Sequence, residues 1–367
     1  MRLRSWLIGL LLAPLPVAAA QVAPDSLPLA QRSIFSVGLA GHYGFVFAHA
    51  ADVENTRGSR PRGLRAELVW QRIDERTWQA CTCYPRNGLQ ITAMDYDNPV
   101  LGHGLNVGYF LEPNFRLTPG VSLSLRGSFG IAFLSNPYHP VRNPTNSSYS
   151  LPVSAYLALG LGTSVRLTPR WSLTLSGQYE HASNGGLQEP NLGINYPTAS
   201  VGLLYAVNPV PIPVRERPSG RNFRHRRPRF DGYGFGTART ARRGEPTRYF
   251  LGGLGFTASK QVGKLSALTL GTEAFADFPS LELARREGNE PVPLRVGLML
   301  GHEFLLGKYV FSQQLGVYAY NPYPFFDRVY HRWGLTRRVG GGWAVGFNLL
   351  AHRQVANFLD LRLVRSW

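Results

Sequence analysis

Only two cysteines occur in the 367 residues, Cys81 and Cys83, in a lone Cys-x-Cys. A metal site would need more ligands nearby, so no metal is expected. If the segment is a strand, both thiols face the same side, either as a local disulfide or as two unlinked groups. Lysine is equally scarce: it stands only at 260, 264 and 308, and arginine carries the rest of a formal net charge of +17. Charged residues make up only 17% of the chain, and past residue 20 there is no long uninterrupted apolar run. That excludes a second hydrophobic segment long enough to cross a membrane as a helix.

The N-terminus fixes the compartment. Arg2 and Arg4 precede an apolar run from Trp6 to Val17 that contains Pro14 and Pro16 and ends in Ala18-Ala19-Ala20. This reads as a secretory signal over residues 1–20, with the mature chain beginning near Gln21. Export argues against nucleic acid as the partner of the positive charge. Arginine instead suits planar, bidentate contact with phosphates such as those on a phosphorylated lipid surface.

What is abundant points to strands and turns: 44% hydrophobic and 12% aromatic residues, 40 glycines, and an aromatic C-terminal residue, Trp367. Period-two alternation marks eight segments near 33–48, 62–72, 86–96, 104–113, 120–134, 150–166, 171–183 and 197–207. Eight more follow near 230–239, 248–258, 265–276, 291–305, 309–319, 328–338, 342–351 and 358–366. The fold class expected is all-β: a transmembrane antiparallel β-barrel of about sixteen strands in two related eight-stranded units. Closure satisfies every backbone group within lipid. The units are residues 21–207 and 230–367, separated by a basic, proline-rich, solvated linker over 208–229. Internal duplication is suggested by Tyr43-Gly44-Phe45 against Tyr233-Gly234-Phe235 and by Asn136-Pro137-Tyr138 against Asn321-Pro322-Tyr323. Two small barrels or one large one are both compatible with this pattern.

The chemically informative stretch begins at Tyr179-Glu180-His181-Ala182-Ser183-Asn184-Gly185-Gly186 and runs to Asn195. Strand side chains alternate faces, so His181 and Ser183 share one face and an imidazole is placed to take a serine proton. Asn195, at the start of the neighbouring strand, can accept the other imidazole N–H and hold the ring. Asn184 and the backbone freed by Gly185-Gly186 are candidate oxyanion donors.

The sequence His181-Ala-Ser-Asn-Gly-Gly followed by Pro190-Asn191-Leu192-Gly193-Ile194 resembles the lipid A 3-O-deacylase family of eight-stranded outer-membrane barrels. That family's signature is His-x-Ser-Asn and then Pro-Asn-x-Gly-Ile. The resemblance covers about residues 33 to 207, and the two-part layout looks like the longer, acyloxyacyl-hydrolase-type members. It implies a base at His181, a nucleophile at Ser183 and an oxyanion site at Asn184 and Gly186. The family pattern has glutamate where this chain has Asn195. Outer-membrane phospholipase A is similar in another respect, with an asparagine twelve positions after its serine, and it requires calcium.

Three functions are therefore expected as alternatives. The first is a cofactor-free outer-membrane esterase that removes a 3-hydroxyacyl chain from lipid A of lipopolysaccharide. The others are a calcium-dependent phospholipase A and a non-catalytic lipid-binding or pore-forming barrel. In the second unit His352 is followed two positions on by Gln354 in place of serine, so no second catalytic site is expected. Asp360 reads as a rim carboxylate. His42, His49, His103, His139 and His302 read as rim or lumen groups, and Asp95, Asp97 and Asn98 as a solvated turn.

Overall fold

Alternation gives each strand two chemically different faces, and the fold sorts them by closing the sheet twice. The computed structural model describes residues 33–185, 188, 190–216, 226–242, 245, 247–323, 327–353 and 355–367. The expected signal segment and Gly186 lie outside them.

The first half contains β1 (Ser33–Gly44), β2 (Arg62–Arg72), α1 (Glu75–Cys81), β3 (Arg86–Asp95), β4 (His103–Glu112), β5 (Asn114–Arg116), β6 (Val121–Leu134), β7 (Val153–Arg166), β8 (Trp171–Ser183) and β9 (Ile194–Ala206). Neighbours pair antiparallel, β1 pairs with β9, and β4 pairs with β6, which closes the ring. The short β5 continues β4 along the same edge of β6 after Pro113, a residue that cannot donate to the ladder.

The second half contains β10 (Arg229–Thr240), β11 (Arg248–Gln261), β12 (Ser266–Asp277), α2 (Phe278–Arg286), β13 (Leu294–Leu306), β14 (Tyr309–Tyr320), β15 (Val329–Gly340), β16 (Trp343–His352) and β17 (Val355–Ser366). It closes through β10 and β17. Each half is thus zipped onto itself, and the chain forms two eight-stranded barrels, not one of sixteen.

The polarity of both barrels is inverted relative to a soluble protein. Leu161 and Leu361 point outward, 69% and 74% exposed, among dozens of other large apolar side chains, while arginines and carboxylates fill the interiors. In water each such leucine would forgo roughly 1.5–3 kcal/mol of burial, so this surface suits lipid and not a soluble sandwich. In the first lumen Arg126 donates to Glu67 Oε2 at 2.8 Å and to Gln90 Oε1 at 2.7 Å, and lies 3.6 Å above the Phe110 ring.

In the second lumen the fully buried Arg332 is held between Glu273, at 3.0 Å, and Asp360, while Arg295 binds Asp277 at 2.9 Å. Asp360 is therefore not a rim group. Even-numbered positions of β17 face inward, and it also pairs with Arg362 at 3.2 Å. Replacing Arg332 by methionine would strip Glu273 of its cation inside the barrel. The expected cost is about 3–5 kcal/mol, read as a lowered unfolding midpoint in micelles; an unchanged midpoint would show the network to be dispensable.

Each barrel carries a short helix that alternation alone does not reveal. Asp74 caps α1, accepting from the Thr77 N–H at 2.8 Å, and Asp277 caps α2, accepting from the Ser280 N–H at 3.0 Å. Cys81 and Cys83 do not lie on a strand: the first ends α1, the second follows Thr82, and they are joined as a disulfide. Residues 208–216 depart from the expectation of a solvated linker. They fold back under the first barrel, where Val210 and Ile212 pack on the cluster of Ile34, Ile73 and Tyr84. Arg215 donates to Tyr84 Oη at 2.9 Å and pairs with Glu75.

Candidate active site

On β8 the even positions Gln178, Glu180 and Ala182 are buried in the lumen, so the odd positions Tyr179, His181 and Ser183 project outward. Glu180 accepts from Tyr156 Oη at 2.7 Å and from Thr198 Oγ1 at 2.6 Å, which fixes the strand's inner face. The register places His181 directly opposite Asn195 on β9, on the same outward face.

The three expected side chains meet there. Ser183 Oγ is 2.9 Å from His181 Nε2, and His181 Nδ1 is 2.7 Å from Asn195 Oδ1. With the imidazole proton on Nδ1, the ring donates to the amide oxygen and presents a lone pair to the serine hydroxyl. This is the geometry a serine nucleophile and its base require. Asn195 Nδ2 in turn donates to His49 Nδ1 at 2.9 Å. His49 is therefore not just a rim group. It arrives because residues 44–47 run on past β1 beside β9, with Phe47 N–H donating to the Asn195 carbonyl at 2.8 Å. The outward parity of positions 43, 45 and 47 is the one signal in the sequence that foreshadows it.

The loop after Ser183 is organised by the residues of the Pro190–Ile194 motif. Asn191 Oδ1 accepts from the Asn184 N–H at 2.8 Å. Leu192 and Gly193 N–H groups donate to the carbonyls of Ser147 and Ser148 at 3.0 and 2.7 Å, and Ile194 is buried. Gly193 has φ +81°, and a Cβ built on it would lie 2.5 Å from His181 Cε1. Only glycine fits between that backbone and the imidazole. The β6–β7 loop behind is itself held by Tyr149, which donates to the Leu101 carbonyl at 2.8 Å. Burial pushes its phenol up to about 12, so it stays a proton donor.

Asn184, expected as an oxyanion donor, is tied into the surrounding loops. Its side-chain amide donates to Ser150 Oγ at 3.1 Å and to the Gln188 carbonyl at 2.7 Å, so both its hydrogens have partners, one in the β6–β7 loop and one in its own. Elsewhere, Asp95 is taken up by Arg62 at 3.0 Å and by the Asp97 N–H at 3.0 Å. In the second barrel His352 faces inward, 3.1 Å from Tyr318 Oη, whereas His181 faces out. Gln354 lies outside the described residues.

Comparison with known proteins follows the two barrels. Residues 63–204 match the family model of lipid A 3-O-deacylase (PagL), and residues 228–365 match that of the acyloxyacyl hydrolase C-terminal domain. Together the two matches take in more than half of the chain. Among curated proteins none matches. Among solved structures, the outer membrane enzyme PagL is 17% identical with a TM-score of 0.33, covering 45% of this chain and 97% of its own. Neisserial surface protein A is 13% identical with a TM-score of 0.32, covering 47% and 96%. A mutant of the Rh. blastica porin is 12% identical with a TM-score of 0.21, covering 91% and 100%. With a family model on each barrel, the chain belongs to the lipid A 3-O-deacylase family of outer-membrane β-barrels, in its long, two-part form.

Proposed function

We propose that the chain is a lipid A 3-O-deacylase that works by a Ser183–His181–Asn195 relay on the outer wall of its first barrel. The observation that carries this reading is the unbroken pair of hydrogen bonds, 2.9 and 2.7 Å, on a lipid-facing surface. Barrels of this class keep their short turns on the periplasmic side. The four-residue connection 167–170 is such a turn, which sets Ser183, at the other end of β8, at the level of the outer leaflet. Leu157, paired with His181, and Phe47 lie exposed beside it, a setting for an acyl chain and not for a water-soluble ester.

In the proposed reaction Ser183 Oγ attacks the ester carbonyl as His181 Nε2 takes its proton. The C–O bond to the sugar then breaks, and His181 returns the proton to the departing hydroxyl. Water, deprotonated by the same imidazole, releases the 3-hydroxy acid and restores the serine. Asn195 orients the imidazole, and being neutral it stabilises the imidazolium less than a carboxylate would. Asn184 and the Gly186 N–H are the proposed oxyanion donors. Asn184 reaches that role by exchanging the Gln188 carbonyl for the developing charge, a trade favoured because hydrogen bonds to an ionised oxygen are the stronger ones.

The test is incubation of purified protein with lipid A and, separately, phospholipid, each with and without chelator, followed by mass spectrometry. Loss of one 3-hydroxyacyl unit from lipid A, unaffected by chelator, is the expected result. Chelator-sensitive formation of lysophospholipid would move the assignment to a calcium-dependent phospholipase, which the twelve-residue spacing from Ser183 to Asn195 also fits. No change in either lipid would leave a non-catalytic barrel.

A further inference from the structure

A carboxylate presents an oxygen to the imidazole whichever way it is turned, but an asparagine has one face that accepts and one that donates. If the Asn195 amide rotated by half a turn, its NH₂ would meet the His181 N–H and drive the ring out of the tautomer that can take a serine proton. Something must hold the amide the right way round. The atom in position to do so is His49 Nδ1, 2.9 Å from Asn195 Nδ2, with Asn195 Oδ1 left for His181 at 2.7 Å.

Resting on the esterase reading, we infer that His49 is a positioning residue: in the tautomer protonated at Nε2 it accepts from Asn195 Nδ2, locks the amide orientation, and through it sets the tautomer of His181. The arrangement is a four-member chain, Ser183 to His181 to Asn195 to His49, in which each group fixes the proton of the next. The geometry leaves little freedom. Asn195 is 8% exposed and its backbone is clamped, the carbonyl accepting from Phe47 N–H at 2.8 Å and the residue itself paired with His181 across β8 and β9. His49 is carried two residues beyond Phe47 on the same outward side. The contact of Nδ1 with the Phe47 carbonyl, at 3.4 Å, is too long to rival a bond of 2.9 Å. An asparagine in a relay position is thereby made serviceable by a second imidazole.

The deciding experiment is a double-mutant cycle with a spectroscopic readout. His49→Ala is expected to lower kcat roughly tenfold in the parent chain, the size of losing one orienting hydrogen bond, with KM little changed. In an Asn195→Asp background, where orientation no longer matters, His49→Ala is expected to cost less than about twofold. An equal loss in both backgrounds, or no loss in either, would overturn the inference, because a purely structural histidine is blind to residue 195. His49→Gln, which can accept through Oε1, is expected to restore part of the lost rate. Independently of any activity, ¹⁵N spectra of labelled histidine should find His49 protonated at Nε2 and His181 at Nδ1. A His49 protonated at Nδ1 would overturn the inference even if the chain hydrolysed lipid. Should the parent chain show no Ser183-dependent hydrolysis, the esterase reading fails, while the nitrogen spectrum still decides what His49 does.

Discussion

Replacing Ser183 by alanine is expected to abolish hydroxyacyl release, lowering kcat by about 10⁴-fold or more, while the folded barrel keeps its mobility on an unheated gel. The hydroxyl is the one atom in the site that can form the acyl-enzyme, and its loss removes the proton that His181 Nε2 is placed to receive at 2.9 Å. Truncating a half-buried serine at the end of a strand leaves no cavity and no orphaned charge, so stability should move little. Mass spectra of lipid A from cells carrying either form give the measurement. If the alanine form retains more than a tenth of the parental rate, Ser183 Oγ is not the nucleophile and the relay falls with it.

The second large effect is expected at a residue with no chemistry of its own. Gly193→Ala would place a methyl group 2.5 Å from His181 Cε1 and 3.3 Å from Nδ1, so the ring must turn away from Ser183 or from Asn195. A displacement of the order of an ångström in a reacting group costs about 10²-fold, and a loss of kcat of that size is expected. Alanine at φ +81° carries a backbone penalty as well, so a control is needed. Gly58, with φ +85° and nothing within 4 Å of a built Cβ, supplies it. Gly58→Ala bears the same left-handed strain away from the site. Equal rates for the two variants would show that the contact with His181 does not matter.

The strands of both barrels were legible because lipid on one side and a packed polar lumen on the other enforce strict alternation over ten or more residues. The segment 171–183 is β8 itself, and most other boundaries move by only a few residues. β9 begins at Ile194, ahead of the segment expected from 197, since Pro197 reads locally as a beginning although its carbonyl accepts from Phe45 N–H at 3.1 Å. The helices went unread for the opposite reason: α1 and α2 span only seven and nine residues, too short to establish a helical period. Their signals are the Asp74 and Asp277 caps and Pro279 in the first turn of α2.

In the site, the pair His181 and Ser183 follows from two-residue spacing, and Asn195 from its place in the adjoining strand. His49 could not be found the same way. It meets Asn195 across 146 residues of sequence, a contact that exists only once β1 and β9 have closed the ring. The side on which Asp360 lies was hidden for a related reason: inward or outward depends on parity along β17, and a slip of one residue exchanges the two.

Eight is an even number, and that has a bearing on how a protein of this shape is put together. A chain that crosses the bilayer an even number of times returns to the compartment from which it set out. The first barrel therefore hands its C-terminus over where the second needs its N-terminus, and the segment between them never has to traverse lipid. Two complete closed sheets can therefore follow one another in a single chain without either giving up a strand. A half with seven or nine would have left the next one starting from the opposite side of the bilayer.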